Sequence, residues 1–193
     1  MRWLAGLGEV DHAVTRQAGT RVPASVGKAL SVVEESAESS KLWCGAAAVM
    51  AAFGGRRGRR SAASGIAALV VAQFVSNGVG KQFVDRPRPP RDWFPHDEVN
   101  DRPDSSSFPS GHTAAAFAFT AAVTPTWPAA GITLAVPTLL VSVERVQSGA
   151  HYSSDVVAGA TLGLLTAWLT RRVPHLLWRQ SRRQLGTGAR IGR

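Results

Sequence analysis

Five apolar segments, separated by short polar or proline-containing stretches, constrain the fold of this chain more than any other feature of its sequence. They run over residues 42–55, 62–80, 111–123, 129–143 and 156–169. Their interiors are rich in alanine, glycine and serine, which let helices approach one another closely in lipid. The pattern predicts an all-α fold: an integral membrane helical bundle with about five spanning helices.

The positive charge of the chain is concentrated in two blocks. The formal net charge is +9, and the mean hydropathy of −0.01 does not by itself separate soluble from membrane proteins. The blocks consist of Arg56, Arg57, Arg59 and Arg60, and of Arg171, Arg172, Arg179, Arg182, Arg183, Arg190 and Arg193. Basic blocks beside apolar segments are typical of cytoplasmic anchors. No nucleic-acid recognition motif accompanies the arginines, so we expect no nucleic-acid partner.

Three regions are expected along the chain. Residues 1–40 are divided by Pro23 into two short amphipathic helices, which would lie on the membrane surface or cap the bundle. Residues 41–173 form the transmembrane domain that carries the motifs described below, and residues 174–193 form a basic cytoplasmic tail. The chain has one cysteine and no cluster of carboxylates or histidines with metal-ligand spacing, so we expect no metal and no cofactor.

The stretch before the last apolar segment carries a histidine, a carboxylate and an arginine, and their spacings predict a functional site. Asp155 follows His151 by four residues, and Arg145 precedes it by six. On a helix, residues four apart share a face, so Asp155 is expected to reach the imidazole of His151. A carboxylate on one ring nitrogen leaves the other free to attack. The arginine indicates an anionic target, most simply a phosphoryl group.

Two further clusters of the same chemistry lie upstream. Lys81 and Arg88, seven residues apart, offer a point charge and a planar fork that would hold a phosphate from two sides. The run of residues 108–112, Phe-Pro-Ser-Gly-His, precedes an apolar segment and has the composition of a helix start. Free N–H groups at such a start favour an anion, and His112 in the first turn would donate a proton to a leaving oxygen.

Taken in order, Lys-x6-Arg-Pro, Pro-Ser-Gly-His and Arg-x5-His-x3-Asp, the three clusters resemble the motifs of the type 2 phosphatidic acid phosphatase superfamily. That superfamily includes membrane lipid phosphate phosphatases, soluble bacterial acid phosphatases and vanadium haloperoxidases. The resemblance covers residues 81–155 and extends into the following helix, while the first half of the chain carries no motif.

The resemblance implies a metal-independent mechanism with a histidine nucleophile. His151 would attack phosphorus and form a phosphohistidine, Asp155 would orient and stabilise it, and His112 would protonate the leaving alkoxide and then activate water. The phosphoryl oxygens would be held by Lys81, Arg88, Ser110, Gly111 and Arg145. Arg88 is preferred to Arg86 because its distance from Lys81 fits the family pattern. Arg86 is expected to be solvated or paired with Asp85, Asp92 or Asp97.

One position departs from the family pattern. The third motif usually begins Ser-Arg, and here it begins Glu144-Arg145. An ionised carboxylate cannot donate to a phosphoryl oxygen, so we expect Glu144 to pair with Arg88 or Arg145. Polar residues inside the second apolar segment, Gln73, Ser76 and Asn77, are expected to be hydrogen-bond partners between helices. The remaining histidines, His12, His96 and His175, are expected to be structural.

The helix count places the motifs on one side of the membrane. With the 56–60 loop in the cytoplasm, residues 81–109 and 144–153 face outward, and the 124–128 turn and the arginine-rich tail face inward. The leading interpretation is a multi-pass cell-membrane phosphatase with an extracytoplasmic site, acting on a lipid phosphate: polyprenyl diphosphate, polyprenyl-phosphate sugar phosphate, phosphatidic acid or phosphatidylglycerophosphate. The alternatives are a soluble acid phosphatase or vanadium haloperoxidase on the same fold, and a non-catalytic lipid-binding membrane protein.

Overall fold

Six helices account for most of the described chain. The structure, a computed structural model, describes residues 2–21, 30, 40–94 and 105–188, without the side chains of residues 2–7, 21, 79, 81 and 173–188. The helices are α1 (Arg2–Arg21), α2 (Lys41–Phe53), α3 (Gly55–Gln73), α4 (Gly111–Val123), α5 (Pro128–Gln147) and α6 (Ser153–Gly188). A π-helical stretch, Phe74–Gly80, and a last turn, Lys81–Phe83, prolong α3. The described residues contain no strand, which confirms the all-α prediction.

Each of the five apolar segments lies in one of the helices α2 to α6, but two boundaries differ from expectation. The first arginine block was expected in a loop and instead forms the first turns of α3, because arginine is a good helix former and the break falls at Gly54. At the N-terminus, α1 is a single helix of 20 residues. Of the second helix expected after Pro23, only Leu30 is among the described residues, where it is helical. At the other end of the chain, α6 continues to Gly188, into the region expected to be a tail.

Helix α4 lies at the centre of the bundle, in contact with α3, α5 and α6. It is apolar around its whole circumference, which is the pattern of a buried helix. Its partners approach closely because the shared surface is built from alanines: Ala68, Ala72, Ala114, Ala118, Ala122 and Ala167. A second cluster around Trp43 and Phe119 fills the space between α2, α3 and α4.

The outer surface of the bundle is apolar. Large exposed side chains include Phe53, Phe74, Ile132, Leu139, Val157 and Trp168, while much of the interior consists of alanine, serine and threonine. Water would not stabilise this distribution, which a hydrocarbon environment favours. Two helical stretches, Gly55–Gly78 and Pro128–Gln147, are long and apolar enough to cross a membrane, and Lys41–Phe53 and Gly111–Val123 are shorter apolar helices.

The two ends of the bundle differ in charge. The starts of α4 and α6 and the ends of α3 and α5 meet at one end, together with α1. The described arginines of the two blocks lie at the other end, where Arg60 and Arg171 line one cavity. Among the residues with described side chains, all six carboxylates lie in α1, in the loops of the first end, or in the adjoining turns of α5 and α6: Glu9, Asp11, Asp85, Asp92, Glu144 and Asp155.

Candidate active site

Backbone hydrogen bonds join the three motif segments at the carboxylate-bearing end of the bundle. The N–H of Ser107 donates to the carbonyl of Arg86 at 2.9 Å, which connects the loop after α3 to the loop before α4. The N–H of Ser110 donates to the carbonyl of Asp155 at 3.1 Å, which connects the start of α4 to the first turn of α6. Stretches that are distant in sequence are therefore held together by main-chain contacts, independently of any ligand.

A small pocket opens where the segments meet. It holds about 100 Å³ and is lined by Gln73, Asn77, Arg88, Gly111, His112, Arg145 and His151. Two larger cavities, of about 580 and 400 Å³, are lined by neither histidine nor carboxylate. Of these three pockets along the described residues, the small one carries the two histidines that acid–base and nucleophilic chemistry needs, and its volume suits a phosphoryl group or a few waters.

The imidazole of His151 has one nitrogen committed to the protein. Its Nδ1 lies 2.6 Å from the carbonyl oxygen of Ser107. A carbonyl oxygen can only accept, so Nδ1 carries the proton and Nε2 keeps its lone pair. His151 lines the pocket while being only 4 % exposed. The side chain is therefore oriented as a nucleophile or base that acts through Nε2.

His151 and Asp155 lie close together, but the prediction that both lie on one helix is wrong. His151 lies in the loop before α6, which begins at Ser153, because the chain turns at Gly149 with φ of +68°, a conformation that glycine adopts without strain. The Oδ2 of Asp155 lies 3.8 Å from Nδ1 of His151. At that distance the carboxylate acts on the imidazole through its charge, and the Ser107 carbonyl makes the direct hydrogen bond.

Burial and neighbouring charges set the ionisation of this pair. Burial lowers the pKa of His151; Asp155 raises it and the guanidinium groups of Arg88 and Arg145 lower it, leaving it below the usual value for histidine. Burial raises the pKa of Asp155, but the contacts with His151, the Tyr152 N–H and Arg86 outweigh this and lower it. At neutral pH the site therefore holds a neutral imidazole beside an ionised carboxylate.

Arg88 and Arg86 point to different groups. Arg88 lines the pocket and is held by the backbone carbonyls of Ala150, at 2.6 Å, and Ser105, at 3.2 Å. Arg86 donates to Asp155 and Asp11. Of the three aspartates considered from the sequence, Asp85 and Asp92 make no described ion pair with it, and Asp97 lies outside the described residues. Sequence proximity favoured Asp85, Asp92 and Asp97, but the tertiary contact with α1 brings a different carboxylate within reach.

Glu144 pairs with the adjacent Arg145, one of the two partners expected. Its Oε2 lies 2.5 Å from Nε of Arg145. Both side chains are buried in the last turn of α5, and Arg145 also lines the pocket. The carboxylate therefore holds the guanidinium by its Nε side. It also lowers the net positive charge near the pocket.

Helix α4 begins at the pocket as the sequence predicts. Ser110 is its N-cap, and its Oγ accepts from the N–H of Thr113 and donates to the Thr113 hydroxyl. The Ser110 side chain is therefore engaged in the cap, whereas Gly111 and His112 line the pocket. The positive end of the helix dipole at this first turn favours an anion there. The side chain of Lys81 lies outside the described part of the chain.

Two pocket residues and one contact were not predicted from the sequence. Gln73 and Asn77, which were interpreted as partners between helices, both line the pocket, and Gln73 also donates to the Ser40 hydroxyl at 2.8 Å. A polar residue near the end of an apolar segment that leads to a motif is a usable signal for such a position. The contact of Asp11 with Arg86 has no comparable local signal.

The lowered pKa of His151 predicts how activity depends on pH. The attacking form is the neutral imidazole, so on the acid side kcat/KM should rise with pH until His151 is deprotonated. Because that pKa lies below the usual 6.5, the acid limb should have its midpoint below pH 6.5. The profile should be recorded with a monophosphate and a diphosphate substrate, so that a shared midpoint belongs to the enzyme. A shared midpoint at or above pH 7 would contradict the assignment.

A family model places the chain among known proteins. The model described as "PAP2 superfamily" matches residues 61–179, more than half of the sequence. The chain belongs to the PAP2 superfamily. This confirms the relationship inferred from the three motifs. In this PAP2 protein the matched residues include helices α4 and α5 and the loops that carry the motifs.

Two curated relatives are similar in sequence to part of this PAP2 protein. A lipid A 1-phosphatase of Porphyromonas gingivalis is 35 % identical over 88 residues, which covers 40 % of this chain and 19 % of that protein. A lipid A 1-phosphatase of Rhizobium johnstonii is 39 % identical over 64 residues, which covers 33 % of this chain and 26 % of that protein. The chain thus spans about a fifth to a quarter of the length of these relatives.

Two solved structures share the fold of this PAP2 protein. A transmembrane PAP2-type phosphatidylglycerolphosphate phosphatase from Bacillus subtilis superposes with a TM-score of 0.67 at 21 % identity, covering 88 % of this chain and 87 % of that one. LpxE of Aquifex aeolicus superposes with a TM-score of 0.68 at 20 % identity, covering 83 % and 93 %. At these identities the likeness establishes the helical architecture.

Proposed function

We propose that this protein is a membrane phosphatase that hydrolyses a phosphomonoester or diphosphate on a lipid through a phosphohistidine intermediate. The observation that carries the proposal is the pocket, where two imidazoles and two guanidinium groups meet at the start of α4. Phosphoryl transfer depends mainly on positioning and on stabilising charge, and these groups supply both. Membership of the PAP2 superfamily supports the same chemistry.

In the first step, the Nε2 lone pair of His151 attacks phosphorus and the bond between phosphorus and the lipid oxygen breaks. The leaving oxygen takes a proton from His112. The imidazole becomes positively charged as the P–N bond forms, and the ionised Asp155 beside Nδ1 stabilises that charge. Arg88, Arg145 and the N-terminus of α4 bind the phosphoryl oxygens.

In the second step, water attacks phosphorus and the P–N bond breaks. His112, now neutral, takes a proton from the attacking water, and the electron pair of the P–N bond returns to Nε2 of His151. Inorganic phosphate leaves and both histidines regain their starting protonation. His112 thus gives a proton in the first step and takes one in the second, while Nε2 of His151 forms the bond to phosphorus and then releases it. This mechanism needs two imidazoles in one pocket, as are found here.

A membrane location is supported by the apolar outer surface and by the two helices of spanning length. We infer that all five helices α2 to α6 cross the bilayer, with the pocket on the extracytoplasmic side and the arginine blocks in the cytoplasm. A pocket at the end of the bundle would meet the headgroup phosphate of a lipid whose tails stay in the membrane. The names of the relatives, lipid A 1-phosphatase and phosphatidylglycerolphosphate phosphatase, agree with a lipid substrate.

The proposal is tested by phosphate release from detergent-purified protein. The panel should contain lipid A, phosphatidylglycerophosphate, phosphatidic acid and a polyprenyl diphosphate, with glucose 6-phosphate as a water-soluble comparison, all assayed in excess EDTA. At least one lipid should be hydrolysed more than tenfold faster than glucose 6-phosphate, and EDTA should leave the rate unchanged. Release restricted to the soluble ester, or activity lost in EDTA and restored by Mg²⁺, would contradict the proposal.

A further inference from the structure

Arg86 connects helix α1 to the carboxylate beside the proposed nucleophile. Its NH1 donates to Oδ1 of Asp155, and its NH2 donates to Oδ2 of Asp11 at 2.7 Å. Asp155 is fully buried, and the side chain of Asp11 is only 10 % exposed. The other carboxylate oxygen of Asp155 is the one 3.8 Å from His151. A continuous series of charged contacts therefore runs from Asp11 in α1 to the imidazole.

Helix α1 also caps helix α6, on whose first turn Asp155 lies. The N–H of Ser154 donates to Oδ1 of Asp11 at 2.8 Å, and the Ser154 hydroxyl donates to its Oδ2 at 2.6 Å. The N–H of Ser153 donates to the hydroxyl of Thr15 at 3.0 Å. These N–H groups have no partner within their own helix, so α1 supplies the cap that α6 lacks.

An aromatic cluster holds the same arginine from another side. The guanidinium carbon of Arg86 lies 4.0 Å from the ring centroid of Tyr152, the residue after His151. The ring of His12, next to Asp11 in α1, stacks on Tyr152 with 5.2 Å between centroids. The cation–π contact restricts Arg86, and the stacking on His12 restricts the Tyr152 ring that makes this contact. The arginine is therefore built into the site and is not a solvated surface charge.

The charges of the three linked groups matter for the chemistry. Asp155 paired with Arg86 alone would form a neutral pair with little remaining attraction for a positive imidazole. With Asp11 on the other side, the group Asp11–Arg86–Asp155 carries a net charge of −1. That negative charge faces His151, which Arg88 and Arg145 otherwise surround with positive charge.

We propose that Asp11 is a positioning residue that acts on His151 through Arg86 and Asp155: it fixes Arg86, caps α6 and supplies the net negative charge that stabilises the phosphorylated imidazolium. The inference rests on the proposed function, in which His151 is the nucleophile. It gives α1, which carries no motif, a part in the reaction that acts through Arg86 and Asp155.

The test is a double-mutant cycle between Asp11 and Arg86. Asp11→Asn keeps an oxygen that can accept from Ser154 but removes the charge, so kcat should fall about tenfold with KM within twofold of wild type. Asp11→Glu should recover most of that loss. When Arg86 is replaced by glutamine, Asp155 is no longer paired with a positive charge that Asp11 has to offset. Adding Asp11→Asn to Arg86→Gln should therefore change kcat by less than twofold.

Thr15→Val is the matched control, because it removes the neighbouring cap of α6 without changing any charge. It should lower the melting temperature as much as Asp11→Asn does and leave kcat within twofold. Equal losses of kcat from Thr15→Val and Asp11→Asn, or an undiminished Asp11→Asn effect beside Arg86→Gln, would overturn the proposal. Failure of the phosphohistidine mechanism itself would appear separately, as activity that survives the loss of His151.

Discussion

Replacing His151 with alanine should lower phosphate release by at least about 1,000-fold, because no other described side chain can take over the attack on phosphorus. The Nδ1–H bond to Ser107 leaves Nε2 as the reactive atom, and alanine removes it. Release of inorganic phosphate from the lipid substrate identified in the panel measures the effect. KM should change little, since Arg88 and Arg145 still bind the phosphoryl group.

The same prediction extends to the intermediate. Rapid acid-free quenching with a ³²P-labelled lipid should yield label on the wild-type protein that is stable in alkali and lost in acid, as a phosphoramidate is. Label should be absent from His151→Ala. His175→Ala, which changes a histidine outside the three motifs, serves as the control and should keep both label and turnover. Turnover by His151→Ala at more than a tenth of the wild-type rate would exclude His151 as the nucleophile.

Replacing Gly159 with valine should destabilise the fold and remove activity. Gly159 lies in α6, where an added Cβ would come within 2.4 Å of the carbonyl oxygen of Ser110, the N-cap of α4. Neither backbone can yield locally, so the two helices must separate. Overpacking of this kind costs about 1–3 kcal/mol or more, and here it also displaces His112 from His151. Thermal unfolding in detergent and phosphate release measure the two effects.

Gly45→Ala is the matched control for Gly159→Val. Gly45 lies on the exposed side of α2, and nothing lies within 4 Å of the position that its Cβ would take. Alanine there should raise stability by up to about 1 kcal/mol, because glycine lowers the stability of a helix interior. Activity should be unchanged. Destabilisation by Gly45→Ala equal to that by Gly159→Val would show that close helix approach is not the cause.

The helices and the membership of the site could be predicted from local signals. Apolar segments bounded by Gly, Pro or charge identify α2 to α6, and Ser110 before Gly111 marks the start of α4. The resemblance of the three motifs to the superfamily implied that Arg88, His112 and His151 belong to one site, and all three line one pocket in the structure. The helices and the cap depend on residues close together in sequence, where capping and periodicity act, whereas the shared site was inferred from the resemblance of the three motifs.

The remaining features depend on contacts between distant residues. Asp11 lies 143 residues before Ser154, and an acidic residue on an amphipathic helix gives no sign of its partner. The partner of His151 at Nδ1 is a backbone carbonyl, which any residue at position 107 would supply. The spacing of His151 and Asp155 indicated a helical pair, but a turn at Gly149 and a late start of α6 placed them near each other without a shared helix.

The separation of charge along the bundle has an electrical consequence. Six described arginines, at positions 56, 57, 59, 60, 171 and 172, lie at the end opposite the pocket. Carrying one elementary charge across a membrane potential of 100 mV takes about 2.3 kcal/mol. Inverting the molecule in an energised membrane, negative on the arginine side, would therefore require more than about 10 kcal/mol. In the proposed orientation, with the arginine blocks in the cytoplasm, the membrane voltage would therefore itself oppose a flip of the pocket to the cytoplasmic face.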